Sequence, residues 1–352
     1  MPEKDLLKAD FIHLHVHSHY SLLNAIPTPK ELAERAKEYK MPALALTDNG
    51  ALYGAVNFYK ACTKEKIKPI FGIDAYLAPR TRFDKDAGLD KPRGRVLFLA
   101  KNNDGYKNLI KMVTESYING FYYKPRVDHD LIEKLHKDLI CIVPSFSGEP
   151  VLALKDSALE KAEASLDWYK GIFGDDCYLE ITHHPEIEGH EKLQNNIMSL
   201  AEKTKTPLVA SHDVYYLNKS DYLARETMIK IQNGGVVETQ DAEGELAPNF
   251  SFISQEQAVE LFATDVEKQA LKNSVKIAEA CTVEMNPGGT WYFPDYKIKS
   301  GRTPDEELQV TAYAGITWRG LSLNDPAIKE RLDYELGIIK MKGYEKYFLV
   351  VG

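Results

Sequence analysis

Short apolar runs alternate along the chain, as far as about residue 211, with longer stretches in which apolar residues recur at helical spacing. Most of the short runs are nearly continuous in apolar residues, a pattern typical of strands that are covered on both faces. Seven strands are predicted on this basis, at 11–17, 43–47, 69–77, 96–100, 139–143, 177–182 and 207–211.

The stretches between these strands carry signals for helix starts. Thr28 is followed by Pro29 and then by Glu31, which predicts a capping box with proline in the first turn. Ser157 and Thr264 have a glutamate at the same spacing. Helices are predicted at about 29–39, 51–65, 105–118, 158–172, 189–204, 219–232 and 264–281. Alternation of strands and helices indicates parallel βα units, and seven units favour an α/β barrel over an open sheet.

Changes in composition predict two domains. Residues 81–94 are charged and contain glycine, which predicts an exposed loop. Periodicity is lost after residue 285 in a segment with several Pro and Gly residues, and Thr303 then opens another capped helix. The sequence stops in the apolar run YFLVVG without a closing turn. We therefore expect one domain over 1–285 and a linker with an incomplete second domain over 286–352.

Charge and cysteine content narrow the range of functions. The formal net charge is −8, whereas a protein that holds DNA over its whole surface is usually basic. The four cysteines form no C-x-x-C pair, so a zinc ribbon is not expected. No apolar run approaches the roughly 20 residues of a membrane span, and no signal segment opens the sequence. These features predict a cytoplasmic protein without membrane contact.

Histidine and aspartate collect at the predicted strand ends, where the reactive groups of a parallel barrel lie. His13, His15 and His17 alternate on the first strand, so that they point to one face. Other strands carry or run into acidic and imidazole side chains at Asp48, Asp74, His183, His184, His212 and Asp213. A single such residue is usually a hydrogen-bonded loop residue, but the set together predicts a site descended from one for zinc, manganese or iron.

Long ordered motifs then resemble a known family. HLHVHS, ALALTDNGALYGAVNFYKAC, IKPIFGIDAYLA and NLIKMVTESYINGFYYKPRVD are similar to the PHP (polymerase and histidinol phosphatase) domain that opens bacterial DNA polymerase III alpha subunits. RLDYELGIIKMKGYEKYFLVV resembles the start of the polymerase palm in the same family. The resemblance covers nearly the whole chain and implies a distorted seven-stranded barrel, followed by an incomplete N-terminal piece of the palm.

The resemblance also implies which residues once held metal. Active members bind up to three ions through nine ligands and remove nucleotides from 3′ ends. Ligands are retained here at His15, His17, Asp74 and Asp213. They are replaced at Asn24, Asn49, Arg95, Phe146 and Tyr215. Because an amide lacks charge, phenylalanine lacks a lone pair and arginine adds a positive charge, a multi-metal cluster is not expected. A single weak Zn²⁺ or Mn²⁺ site at His15, His17 and Asp213 stays open, with His184 and Asp48 as substitute ligands.

The expected function is therefore that of a catalytically inactive PHP domain, which serves as a structural and interaction domain in DNA replication. The partners implied are the rest of the polymerase chain, which would use Mg²⁺, the proofreading exonuclease subunit, and DNA through the full-length enzyme. Two alternatives remain at this point: a metal-dependent 3′–5′ exonuclease or phosphoesterase, and a free-standing enzyme such as a histidinol phosphatase.

Overall fold

The computed structural model of the chain describes residues 6, 8–232, 234, 248–288 and 296–352. The chain divides into two compact units, Met1–Met285 and Asn286–Gly352. The first unit holds a curved sheet with helices packed against it, and the second unit is helical.

The sheet of the first unit contains seven barrel positions, as predicted from the apolar runs. Six are regular strands, β1 (Ala43–Leu46), β2 (Lys68–Leu77), β3 (Gly94–Ala100), β6 (Leu139–Val143), β7 (Cys177–Ile181) and β8 (Leu208–Ala210), paired in that order. The seventh is the segment 11–17, where Val16 bridges to Val214 and the carbonyl of His13 accepts from the amide of Ala45. The segment thus lies between β1 and the continuation of β8, and the α/β barrel fold is confirmed.

Strand directions depart from the expected all-parallel arrangement. β3 is antiparallel to β2 and to β6, while the pairs β1–β2, β6–β7 and β7–β8 are parallel. The physical reason lies in residues 78–93, which contain no helix. Without a crossover element the chain returns beside β2 in the opposite direction. A short hairpin, β4 (Phe121–Tyr122) and β5 (Lys124–Val127), then extends the other edge of β2.

In the described part of the first unit the helices are α1 (Pro29–Glu38), α2 (Ala55–Glu65), α3 (Asn103–Ile118), α4 (His129–Leu135), α5 (Glu149–Lys155), α6 (Leu159–Phe173), α7 (His190–Thr204), α8 (Tyr222–Gln232), α9 (Gln255–Leu261) and α10 (Asp265–Ala280). Seven of them agree closely with the predicted helices, whereas the short helices α4, α5 and α9 were not predicted. Thr28 and Thr264 form the predicted capping boxes. The prediction for Ser157 was wrong, because its backbone has a φ of 58° and α6 begins only at Leu159.

The prediction of an exposed loop over 81–94 was also partly wrong. Arg82 and Asp90 within it are buried. Arg82 donates to the carboxylate of Asp128 at 2.7 Å, and the buried guanidinium of Arg126 donates to the backbone carbonyls of Arg82 and Asp84 at 3.1 and 2.7 Å. Two arginines therefore fasten this connection to the barrel, where composition alone suggested a free loop.

The described residues of the second unit, 286–288 and 296–352, contain three helices, α11 (Pro304–Trp318), α12 (Pro326–Lys342) and α13 (Glu345–Val351). Thr303 caps α11 through a capping box with Glu306, as the sequence predicts. Within these helices only Leu336 and Leu349 are buried. Among the described residues of the whole chain, no helix combines the length and the apolar character that crossing a bilayer requires.

Candidate metal centre

Two histidines of the segment 11–17 face the interior of the barrel mouth. The amide of His17 donates to the carbonyl of Val214 at 2.9 Å, and the amide of Val214 donates to the carbonyl of His15 at 3.1 Å. These bonds hold the segment extended, so His15 and His17 point to one side. Their side chains are buried and their ring centroids are 5.1 Å apart.

One carboxylate, that of Asp74 on β2, collects contacts from both histidines. Its Oδ2 lies 3.4 Å from His15 Nε2 and 3.3 Å from His17 Nε2. The guanidinium of Arg95, from the neighbouring strand β3, hydrogen bonds to the same oxygen and also to Oδ1 of Asn49. The other oxygen of Asp74, Oδ1, is buried and has no hydrogen-bond partner among the described residues.

A second group of donors forms on the opposite side of the His15 ring. His15 Nδ1 lies 2.8 Å from Oε1 of Glu180 on β7 and 3.1 Å from Oδ1 of Asp213. The remaining oxygen of Glu180 accepts from the amide of Ser145 at 2.9 Å. Sequence reasoning missed Glu180, although a glutamate inside the apolar strand CYLEI is a signal that could have found it, since a buried carboxylate needs a partner.

The charged side chains of the site are paired with oppositely charged side chains of the protein. Burial by itself lowers the pKa of His15, but the carboxylates of Asp213 and Glu180 outweigh it and hold that pKa well above its usual range. Burial by itself raises the pKa of Asp74, yet the Arg95 charge and the two histidines bring it below its usual range. Burial lowers the pKa of His17 to about 4, so this imidazole is neutral at pH 7.

Of the positions at which a family ligand is replaced, three line a cavity beside this centre. Arg95, Phe146 and Tyr215 line a cavity of about 180 Å³ together with His15, Asp74 and Asp213. Tyr215 stacks on His17 with ring centroids 4.3 Å apart, and Arg225 lies 3.9 Å above the other side of the tyrosine ring. Asn49 pairs with Asp74 through the backbone, and its side-chain oxygen accepts a hydrogen bond from Arg95.

Three further positions named from the sequence do not belong to the two groups of donors. Asn24 offers its backbone carbonyl to Nε of Arg225 at 3.2 Å. Asp48 accepts from the amide and hydroxyl of Ser18 and from the hydroxyl of Ser21, all within 2.8 Å, so its oxygens are already engaged. His184 stacks on His212 at 5.1 Å. Neither Asp48 nor His184 joins a close group of three donors within the described residues.

The donor set fits one ion better than a cluster. Two groups of three donors exist in the described part of the chain, His15 with His17 and Asp74, and His15 with Glu180 and Asp213. The expected combination of His15, His17 and Asp213 is therefore divided between two sides of one ring. In the first group Oδ2 of Asp74 accepts a hydrogen bond from the Arg95 guanidinium, and the positive charge of that group disfavours a cation at this position, although Oδ1 has no partner among the described residues.

Comparison with known proteins places this geometry in a family. Residues 13–184 match the PHP domain model. DNA polymerase III subunit alpha of Borreliella burgdorferi is 37% identical over 346 residues, which are 98% of this chain and 30% of that protein. The same subunit of Aquifex aeolicus is 34% identical, again over 98% of this chain and over 31% of that protein. The chain contains a PHP domain of the DNA polymerase III alpha type. The resemblance noted from the sequence is thereby confirmed.

The PHP domain and the helices that follow it span about three tenths of the length of these relatives. Among solved structures, an amidohydrolase from Chromobacterium violaceum with bound sulfate and no metal shares 13% identity, with a TM-score of 0.36. That alignment covers 58% of this chain and 87% of the amidohydrolase. A likeness this distant says nothing about the chemistry of the site.

Proposed function

We propose that this chain provides the PHP domain of a replicative DNA-directed DNA polymerase, with residues 1–285 as that domain and 286–352 as the start of the palm. In this proposal the PHP domain is a structural and interaction domain without phosphoesterase activity. Similarity to polymerase alpha subunits over 98% of the chain supports the assignment to replication. It also speaks against a free-standing phosphatase, because the similarity extends past the barrel.

The contact of Arg95 with Asp74 is the main support for the proposed loss of hydrolytic activity. Hydrolysis assisted by metal ions needs at least one cation that activates water, and commonly two that clamp the attacking and leaving oxygens. Here a guanidinium holds the carboxylate that would bind such a cation, and it has no exchangeable water. Two of the other substitutions, Phe146 and Tyr215, place aromatic rings in the adjoining wall of the cavity.

The proposed partners follow from this assignment. They are the remainder of the polymerase chain, the proofreading exonuclease subunit, and DNA by way of the full-length enzyme, with Mg²⁺ needed only by the polymerase centre. A cytoplasmic location belongs to the same proposal. The net charge of −8 is consistent with contacts to other protein surfaces, because phosphate binding over the whole domain would need a positive balance.

Elemental analysis and a nuclease assay together test the proposal. The chain is purified without added metal, and its zinc and manganese content is measured beside its cleavage of a labelled primer in Mn²⁺ or Zn²⁺. We expect metal far below one ion per chain and no cleavage. Cleavage that disappears in His15→Ala, which removes the ligand common to both donor groups, would contradict the proposal, whereas cleavage that His15→Ala leaves unchanged would come from a contaminant.

A metal-dependent 3′–5′ exonuclease is the second candidate. It is favoured by the group of His15, Glu180 and Asp213, which Arg95 does not contact, and by the unpaired Oδ1 of Asp74. This candidate predicts one bound Zn²⁺ or Mn²⁺ per chain and its loss in Glu180→Gln. The two candidates therefore differ in metal content as well as in activity.

A further inference from the structure

Two buried cysteines lie side by side on neighbouring strands of the barrel. Cys141 on β6 is paired with Cys177 on β7 in their parallel register, and neither side chain reaches the surface. Cys177 is three positions before Glu180, so it points to the opposite face of β7, outward from the candidate metal centre. The pair is therefore separate from the site described above.

The spacing of the strands brings the two thiols within reach of a disulfide bond. Neighbouring strands are about 4.8 Å apart, and side chains that are paired in register leave the sheet in the same direction. A disulfide joins residues whose Cα atoms are about 4.4–6.8 Å apart and whose Cβ atoms are about 3.5–4.5 Å apart. The strand spacing meets the first condition, and the Cβ atoms need to approach by only a few tenths of an ångström to meet the second. A disulfide here is therefore under tension.

Helix α6 covers the pair and restricts which oxidant reaches it. Tyr169 of α6 packs in the same core cluster as both cysteines. A bulky reagent such as glutathione disulfide is too large for this interior, whereas hydrogen peroxide is only slightly larger than water. After peroxide has oxidised one sulfur, the neighbouring thiol is the nucleophile at hand, so the sulfenic acid ends as a disulfide.

A polar path connects the pair with solvent. A thiol must lose its proton before it attacks a peroxide, and burial raises the pKa of Cys141 well above its usual range. Burial also raises the pKa of Tyr169, and the Glu149 carboxylate and the two thiols raise it further, which places this hydroxyl beside all three groups. The side chain of Glu149 is 31% exposed and lies 2.9 Å from His129. The thiol proton therefore has a route to solvent through Tyr169 and Glu149, and the pair oxidises slowly.

We propose that Cys141 and Cys177 form a redox-sensitive pair, which hydrogen peroxide converts into a disulfide that joins β6 to β7. One thiolate attacks a peroxide oxygen, the O–O bond breaks, and the leaving hydroxide becomes water with the proton that the thiol lost. The second thiol then attacks the sulfenic sulfur, the S–S bond forms, the S–O bond breaks and a second water leaves. Two electrons pass from the sulfurs to the peroxide. Because a strained disulfide is the more easily reduced kind, the small reductant dithiothreitol reverses the change.

Peptide mapping of the whole chain after exposure to hydrogen peroxide tests the proposal. We expect one cross-linked species that joins the peptides of Cys141 and Cys177, while the number of thiols titrated in denaturant falls from four to two. Dithiothreitol should restore all four. The rate should rise about tenfold per pH unit between about pH 7 and 8, because the thiolate is the attacking form. Neither metal nor DNA is present, so the result is independent of the proposed scaffold role.

Other side chains of the same chain serve as internal controls. Met341 is 69% exposed and reports by its own oxidation that the dose of peroxide was sufficient. Cys62 on α2 and Cys281 after α10 are also buried and should stay reduced. Cys62→Ser should therefore leave the cross-link unchanged, whereas Cys141→Ser should abolish it.

Three outcomes would overturn the proposal. The first is oxidised Met341 with Cys141 and Cys177 still present as thiols. The second is sulfinic or sulfonic acid at either position in place of the disulfide. The third is a mixture of cross-links that includes Cys62 or Cys281, because such a mixture forms only after the chain has unfolded. Mapping of the parent chain distinguishes these outcomes even if Cys141→Ser does not fold.

Discussion

Arg95 and Asp74 form a largely buried ion pair at the centre of the site. Both side chains are largely buried, at 14% and 2% exposure, and the pair also holds Asn49 and the two histidines in place. Removing one member of a buried ion pair leaves an uncompensated charge, which costs about 3–5 kcal/mol. We therefore expect Arg95→Ala to lower the free energy of unfolding by this amount, measured by denaturant titration at pH 7.

A double-mutant cycle sharpens this expectation. Asp74→Asn removes the charge that Arg95 neutralises, so Arg95→Ala should cost much less in that background. Arg331→Ala is the control, because its pair with Glu335 is exposed and such pairs contribute less than about 1 kcal/mol. Equal effects of Arg95→Ala with and without Asp74 would show that the two charges are not coupled.

At the residue level the sequence identified side chains that lie close together in the structure, but not the contacts among them. The motifs identified His15, His17, Asp74 and Asp213, and all four converge because each follows or lies within an inward-facing strand. No pattern along the chain could show that Arg95 contacts Asp74 itself, since that contact depends on the register between β2 and β3. Glu180 was missed for a related reason, because its partner His15 is 165 positions away.

Elements were predicted more securely than their directions. Apolar runs and capping residues are local signals, so the strands and most helices could be located before the structure was known. The direction of β3 could not be predicted from the sequence, because it depends on whether residues 78–93 cross over the sheet or return along it. Ser157 shows the limit of a spacing motif, since its left-handed backbone prevents it from capping α6.

The N-terminal cap of α10 can be used to test whether the spacing of a capping motif is enough, or whether the backbone geometry must also fit. Thr264 accepts from the amide of Glu267 at 3.3 Å, and its own amide donates to the Glu267 carboxylate at 2.9 Å. Loss of such a cap costs about 1 kcal/mol, so Thr264→Ala should lower the free energy of unfolding by that amount. Ser157→Ala should change it by less than half as much. Equal losses would mean that spacing alone, without geometry, decides the contribution.

One property belongs to the molecule as a whole: several of its histidines are buried in the neutral form. Burial lowers the pKa of His13, His17 and His184 to about 4 and that of His212 well below its usual range. In the unfolded chain these groups bind protons at about pH 6.5. Between pH 6.5 and 4 the unfolded state therefore holds more protons at these positions, and stability falls as the pH falls.

Asp48 has the opposite effect on the pH dependence of stability. Burial raises its pKa to about 6, so the folded state holds a proton there between about pH 4 and 6 and gains stability as the pH falls. Four histidines outweigh one carboxyl, so the unfolded chain holds more protons than the folded chain at these positions near pH 5. The free energy of unfolding should then fall as the pH falls through this range.

His13→Gln isolates one member of the set. The imidazole is fully buried and its Nε2 donates to the carbonyl of Ile253 at 2.9 Å, a bond that a glutamine amide can replace without binding a proton. Denaturant titrations between pH 4.5 and 6.5 should give a slope lower by about 1.4 kcal/mol per pH unit than in the parent chain. An unchanged slope would mean that His13 is protonated in the folded state, and burial would then not control its charge.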